Sequence, residues 1–224
     1  MSEPTDPDPV PVFVYFDYSC PYSYLAVTLL ETAASTTPLQ VVWRPLETRS
    51  EIGAEGLAIA PVDTRSGAEG EDSADPDWSE LGERAAELGV PLYRPEKWPA
   101  TRAALQASEF ARDLSEEAHR RIHRAIFRAH FVRGMDIGRV DHLLQLATEE
   151  GIDTEALAAA LEDGRYLEEL ARTESEAELY GVNQTPVFLF GRFKVVGAAP
   201  TEVLLEAARR AVVDDGNVRR GPRR

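Results

Sequence analysis

A strand-forming run that passes almost at once into a helix constrains this chain more than any other feature. Val12-Phe13-Val14-Tyr15-Phe16 is β-branched and aromatic with no charge, the composition of a buried strand. Asp17 to Ser19 form a short turn. From Pro21 onward, Tyr24, Leu25, Val27, Thr28 and Leu29 suit a helix laid against a sheet. Proline is well placed in a first helical turn, because the N–H it lacks would have no helical partner there.

The only cysteine, Cys20, falls at this strand–helix joint, within Tyr18-Ser19-Cys20-Pro21-Tyr22-Ser23. A lone cysteine is more often an inert, small, buried residue than a reactive one. At a helix N-terminus, however, unpaired amide N–H groups and the helix dipole favour an anion. The expectation is therefore a thiolate-prone, nucleophilic Cys20 with a pKa below the free value of about 8.5. Far downstream, Gly181-Val182-Asn183-Gln184-Thr185-Pro186 precedes Val187-Phe188-Leu189-Phe190, Gly191-Arg192 and Phe193-Lys194-Val195-Val196. That order reads as a loop, a strand, a tight turn and a second strand, with a helix starting near Pro200-Thr201-Glu202.

Taken together, the two ends resemble the DsbA family within the thioredoxin fold. The resemblance runs roughly from Val10 to Val213. Its best-fitting branch joins FrnE-type dithiol oxidoreductases with 2-hydroxychromene-2-carboxylate isomerases and kappa-class glutathione transferases. Phe16 to Ala26 is similar to both subgroups, and Phe127-Arg128-Ala129-His130-Phe131 with Asp136-Ile137 and Leu143-Leu144 is similar to the branch's helical insert. The resemblance implies a discontinuous thioredoxin-like domain over 10–46 and 168–214. It implies a helical insertion over 77–167; the lack of any period over 47–76, rich in Gly, Ser, Pro and acids, reads as a long loop that covers the cleft or is a solvated insertion, and 1–9 and 215–224 read as flexible termini. The resemblance also implies that Thr185-Pro186 is the cis-proline loop that faces the active cysteine.

Two positions depart from the pattern. A DsbA-type oxidoreductase has Cys-x-x-Cys, whose second thiol resolves the mixed disulfide. Here Ser23 stands at that second position, and serine cannot attack a disulfide, so no disulfide can cycle within the chain. The isomerases carry Ser-Pro-Tyr where this chain has Cys20-Pro21-Tyr22, and the Asn-Thr near the start of their insert is here Ala100-Thr101.

Composition narrows the partners. The chain of 224 residues carries a formal charge of −15, from 39 acidic against 24 basic residues. Lys97 and Lys194 are its two lysines; the remaining positive charge is arginine. Such an acidic, lysine-poor, alanine-rich chain resembles proteins of salt-loving organisms, whose self-repulsion is screened by high salt. The plainer alternative is an acidic protein from a GC-rich gene. Either way the charge speaks against nucleic acid, which needs a basic footprint. Met1 to Pro11 has neither a charged n-region nor an apolar h-region, no run is long enough to span a membrane, and one cysteine cannot build a disulfide framework. The expectation is a cytoplasmic protein that meets small thiols.

From Trp78 to about Tyr180 helical spacing dominates. The stripes are Ala103, Ala107, Phe110 and Leu114; Ile122, Ile126 and Ala129; Val140, Leu143, Leu144 and Ala147; then Leu157 and Leu161. His119, His123 and His130 share roughly one helix face. That spacing can hold a metal, but without a further ligand in place a polar face bordering a cleft is the expectation, and no metal site is assigned.

The sequence thus predicts a thioredoxin-like α/β fold with a large helical insertion. The leading function is monothiol exchange: Cys20 is the nucleophile, Ser23 a hydrogen-bond donor to it, and Pro21, Tyr22, Thr185 and Pro186 the substrate-binding positions. The first alternative is an isomerase-like or glutathione-transferase-like enzyme that uses a thiol cofactor. The second is a non-catalytic binding module. No tightly bound cofactor is expected, a low-molecular-weight thiol being the one exchangeable candidate. The expected partners are a small thiol or a disulfide-bearing protein or peptide, without nucleic acid or membrane. Oligomerisation is compatible with the sequence.

Overall fold

The computed structural model describes residues 9–36, 39–59, 76–197 and 199–220. In chain order the elements are β1 (Val10–Phe16), α1 (Pro21–Thr36), β2 (Leu39–Pro45), β3 (Leu57–Ala58), α2 (Trp78–Glu87), β4 (Lys97–Trp98) and α3 (Arg102–Leu114). They continue with α4 (Glu116–Phe131), α5 (Val140–Glu149), α6 (Thr154–Glu162), α7 (Leu167–Leu179), β5 (Val187–Phe190), β6 (Phe193–Val196) and α8 (Thr201–Arg220). The chain divides into two compact units, one of residues Met1–Thr48 with Ala171–Arg224 and one of Arg49–Leu170.

The first unit is built on a four-stranded sheet in the order β2-β1-β5-β6. β1 runs parallel to β2 and antiparallel to β5, and β5 forms an antiparallel hairpin with β6. Alternation along the strands separates two apolar layers. Val12, Val14, Phe188 and Phe190 pack with Ala26 and Leu30 of α1 and with Leu204, Ala207, Ala208 and Ala211 of α8. Tyr15 and Val187, one residue out of phase, pack on the other side with Leu46, Val182 and Ala177 of α7. Burying one such aliphatic or aromatic side chain contributes about 1.5–3 kcal/mol. The expected α/β thioredoxin-like sheet is therefore present.

Two turns hold the far end of this sheet in place. In the β5–β6 hairpin, Phe190 pairs with Phe193 across Gly191-Arg192, and Gly191 has φ +57°. A glycine at the first position of a two-residue loop with positive φ suits a type II′ turn. α7 ends in a Schellman motif: Gly181 N–H donates to the Glu178 carbonyl at 3.0 Å and Val182 N–H to that of Ala177 at 2.7 Å. Gly181 has φ +60°, where a Cβ is disfavoured. Lys194 of β6 adds Nζ donations to the carbonyls of Tyr180 and Gly181 at 3.0 and 2.9 Å. The start of the Thr185-Pro186 loop is thus tied to both α7 and β6.

The second unit is mostly helical. α3 packs on α4, α5 and α6, and α4 on α5. Asp77, Ser115 and Asp153 cap α2, α4 and α6 by accepting backbone N–H bonds, as short polar side chains do at N-caps. Of the expected stripes, Ala107, Phe110, Ile122, Ile126, Ala129, Leu143, Ala147 and Leu157 are buried. Leu114 and Val140, at helix ends, are exposed instead. The first part of the expected 47–76 loop contains β3, which pairs antiparallel with β4; 60–75 lies outside the described residues. α8 continues to Arg220, through much of the segment expected to be a tail, since no proline interrupts it before Pro222. Residues 1–8 and 221–224 of the expected flexible termini lie outside the described residues.

Candidate functional site

Cys20 is the N-cap residue of α1, with Pro21 at the first helical position and Ser23 at the third. Its joint is locked from below by Asp17. That buried carboxylate accepts from Ser19 N–H at 2.9 Å, from Thr48 N–H at 2.7 Å and from the Thr48 hydroxyl at 2.8 Å. The Cys20 N–H donates to the Asp17 carbonyl at 3.0 Å, and Leu46 N–H to that of Phe16 at 2.9 Å. The strand–helix turn is therefore fastened to the end of β2. The Phe16 ring adds edge contacts to Tyr18 and Trp43, at 5.1 and 5.6 Å between centroids.

Tertiary folding brings the Thr185-Pro186 loop to this joint. The Thr185–Pro186 bond is cis, and Cys20 Sγ donates to the Thr185 carbonyl at 3.2 Å. Ser23 N–H donates to Cys20 Sγ at 3.4 Å, as an N3 amide does toward an N-cap side chain. Pro21, Ser23 and Pro186 are buried; Cys20, Tyr22 and Thr185 are half-buried. Cys20, Ser23 and Thr185 thus make one cluster, with Pro21 and Pro186 as the chain neighbours that shape it.

The protonation of Cys20 differs from the sequence expectation. Burial pushes the thiol up. The nearby Ser23 and Thr185 side chains and the Ser23 amide pull it down, and the Asp17 charge adds to the rise. The net direction is upward, toward the thiol. The reason lies in magnitudes. A helix N-terminus favours an anion by about 0.3–1 kcal/mol, and the loss of water around the half-buried sulfur opposes it more strongly. The Ser23 hydroxyl is fully buried and makes no hydrogen bond of normal geometry, yet it lies close enough to favour the thiolate.

The histidines also differ from expectation. Rather than forming a polar face, His119, His123 and His130 are all buried among the helices of the second unit. His119 and His123 stack at 5.4 Å, and the Arg112 guanidinium sits 3.2 Å from His119 Nε2. Burial and the Arg112 charge hold His119 down at about 3, and burial together with the His119, Arg112 and Arg124 charges holds His123 well below its usual value. A neighbouring cation and a dry setting make neutral rings the stable form. Among the described residues, no group of three His, Cys, Asp or Glu side chains comes together as a metal site.

Two further contacts at this sheet are beyond sequence reasoning. Tyr15 OH donates to Glu176 Oε1 at 3.0 Å, and Arg44 pairs with Glu176 Oε2, linking β1 and β2 to α7. No local pattern announces a pair separated by more than a hundred residues. The Asp17 lock had a signal that could have been read: an aspartate two residues before Ser19, at a strand–helix joint, is an Asx-turn candidate.

Comparison with known proteins agrees with this architecture. Residues 11–209 match the family of DSBA-like thioredoxin domains. The uncharacterised protein YwbO of Bacillus subtilis strain 168 is 28% identical over 203 residues, which cover 88% of this chain and 95% of that protein. A probable DsbA oxidoreductase of Streptomyces coelicolor superposes with a TM-score of 0.77 at 24% identity, over 96% of this chain and 93% of that one. A 2-hydroxychromene-2-carboxylate isomerase gives a TM-score of 0.72 at 17% identity, over 93% and 98%. The cytosolic disulfide reductase DsbM of Pseudomonas aeruginosa, solved with GSH, gives 0.58 at 20%, over 95% and 100%. Among the described residues no helix is long and apolar enough to cross a membrane. With the sheet order, the helical unit and the Cys20–Thr185 apposition in place, the match over 11–209 means that this chain belongs to the DsbA-like thioredoxin domain family.

Proposed function

We infer that this protein is a cytoplasmic thiol–disulfide oxidoreductase that works through Cys20 alone, exchanging with a small thiol or a disulfide-bearing peptide or protein. The observation that carries the reading is the apposition of Cys20 Sγ and the Thr185 carbonyl, 3.2 Å apart at a helix N-terminus, in a chain with no second cysteine. The Cys20 thiol first loses its proton to solvent. The thiolate then attacks one sulfur of a disulfide R–S–S–R; a Cys20–S–S–R bond forms, and R–S⁻ leaves. An external thiolate R′–S⁻ then attacks the R sulfur, forming R′–S–S–R and releasing Cys20 as a thiolate. A further R′–S⁻ that displaces R–S⁻ from R′–S–S–R gives R′–S–S–R′ and completes the passage of two electrons from two external thiols to the original disulfide. The Ser23 amide and hydroxyl steady the Cys20 thiolate. Tyr22, Thr185 and Pro186 are the substrate-binding positions of this reading, which the Thr185 carbonyl's contact with Cys20 Sγ supports. No tightly bound cofactor enters this cycle.

A second reading has an observation in its favour. At rest Cys20 is a donor, giving its S–H to a carbonyl, as a serine hydroxyl does. An isomerase or transferase needs only such a donor beside the sulfur of a bound thiol cofactor, and the isomerase likeness spans nearly the whole chain. Cys20→Ser separates the two. In thiol exchange the sulfur itself is the reacting atom, so the variant folds like the wild type and loses all reduction of a test disulfide. Turnover of a chromene-type substrate with a thiol cofactor that survives or rises in Cys20→Ser assigns the isomerase reading instead.

A further inference from the structure

We propose that Cys20 selects disulfides that carry positive charge beside the S–S bond, a diamine disulfide or a cystine flanked by lysine or arginine, over dianionic ones. The inference rests on the exchange reading and names its class of substrate. Asp17, three residues before Cys20, is a fully buried carboxylate that accepts from Ser19 N–H and from the amide and hydroxyl of Thr48. It is the charged group that acts on the sulfur, and it acts against an anion there. Glu47 stands next to Thr48 in the chain, and the exposed Asn183 and Gln184 that precede Thr185 are neutral. Two cations of the same sheet are engaged elsewhere: Arg44 of β2 with Glu176, and Lys194 of β6 with the carbonyls of Tyr180 and Gly181. The site is also more than a thiol, since the fully buried Ser23 hydroxyl makes no hydrogen bond of normal geometry.

The reaction places negative charge at this spot, because a thiolate enters and a thiolate leaves. Cys20–S⁻ and R–S–S–R give Cys20–S–S–R and R–S⁻, which solvent protonates. Asp17 raises the energy of that charge. Ammonium or guanidinium groups on R lower it, and carboxylates on R raise it further. The helix end works the other way. Its third amide is already turned on Sγ at 3.4 Å, and a helix N-terminus amounts to about half an elementary charge against the whole charge of a carboxylate. At longer range the formal charge of −15 draws cations in and keeps anions out. Such fields change association rates by about tenfold to a thousandfold where they converge on a site.

The test uses three disulfides with the same two-carbon arm: cystamine, a dication; 3,3′-dithiodipropionate, a dianion; and neutral 2-hydroxyethyl disulfide. The rate at which each forms a mixed disulfide with Cys20 is followed by protein mass at pH 8, in 0.1 M and 1 M potassium chloride. N-acetylcysteine amide, a neutral thiol, serves as the reference and removes the intrinsic reactivity of each disulfide. The expected ratio of cystamine to dithiodipropionate rates in 0.1 M salt is at least tenfold larger for the protein than for the reference. It is expected to fall in 1 M salt, where charges are screened over about 3 Å instead of about 10 Å. A ratio less than tenfold above the reference overturns the proposal, and so does a ratio that does not fall with salt. Either result leaves the exchange reading standing, because Cys20 has then reacted. No reaction with any of the three disulfides, the neutral one included, overturns the exchange reading and this inference with it.

Discussion

Acid should loosen this protein through His119 in a way that one substitution can isolate. His119 is buried on α4 against the Arg112 guanidinium, and its folded pKa is about 3; unfolded, a histidine titrates near 6.5. A base whose pKa is lowered by folding binds fewer protons in the native state. Its contribution to stability is therefore complete above the unfolded value and is lost as pH falls from about 6.5 toward 3. Below 6.5 the loss is about 1.36 kcal/mol per pH unit. At pH 5.0, 1.5 units below that point, it amounts to about 2 kcal/mol. His123, stacked on it and held well below its usual value by burial and the neighbouring charges, adds a loss of the same sign in both proteins. Carboxylates titrate in both proteins and cancel in a comparison. The assay is urea unfolding of wild type and His119→Gln at pH 7.5 and 5.0 at one ionic strength, followed by far-UV circular dichroism. Glutamine keeps an acceptor for Arg112 and cannot take a proton. The expected outcome is a wild-type loss that exceeds the variant's by about 2 kcal/mol. Losses equal to within about 0.5 kcal/mol would refute the reasoning, because His119 would then be charging inside the fold as easily as outside it.

Three other outcomes follow from the same structure. Gly181→Ala forces a Cβ onto a backbone with φ +60° at the Schellman turn and is expected to cost about 1–2 kcal/mol in urea unfolding; no loss would mean that the turn relaxes freely. Ser23→Cys restores the Cys-x-x-Cys spacing at a position whose amide already touches Cys20 Sγ, so mild oxidation should form an internal disulfide, seen as loss of both free thiols without dimerisation. A charge of −15, screened over about 3 Å at 1 M salt, predicts a thermal midpoint that climbs steadily into molar potassium chloride, and a flat curve would leave the acidic composition without a stabilising role for salt.

The sequence by itself determined what depends on neighbours along the chain. The unbroken apolar run of Val12 to Phe16, proline at the first position of α1, glycine at the start of the β5–β6 turn and the apolar stripes of α3 to α6 are local signals. Local sterics and periodicity made them legible, and they placed Cys20 at a helix start before any contact was known. What the sequence could not decide was the balance of forces on that cysteine. Helix position argued for a thiolate. The tertiary structure argued for a thiol, because burial outweighs the helix end and because a carbonyl 165 residues away in sequence accepts its proton. The same holds for the histidines, whose four- and seven-residue spacing described a shared face but not whether that face met water, and for Arg44 and Glu176, which meet across 132 residues. Solvent access and long-range pairing are properties of the packed molecule; the order of residues carries the elements, and only their assembly sets the dielectric and the partners that each side chain meets.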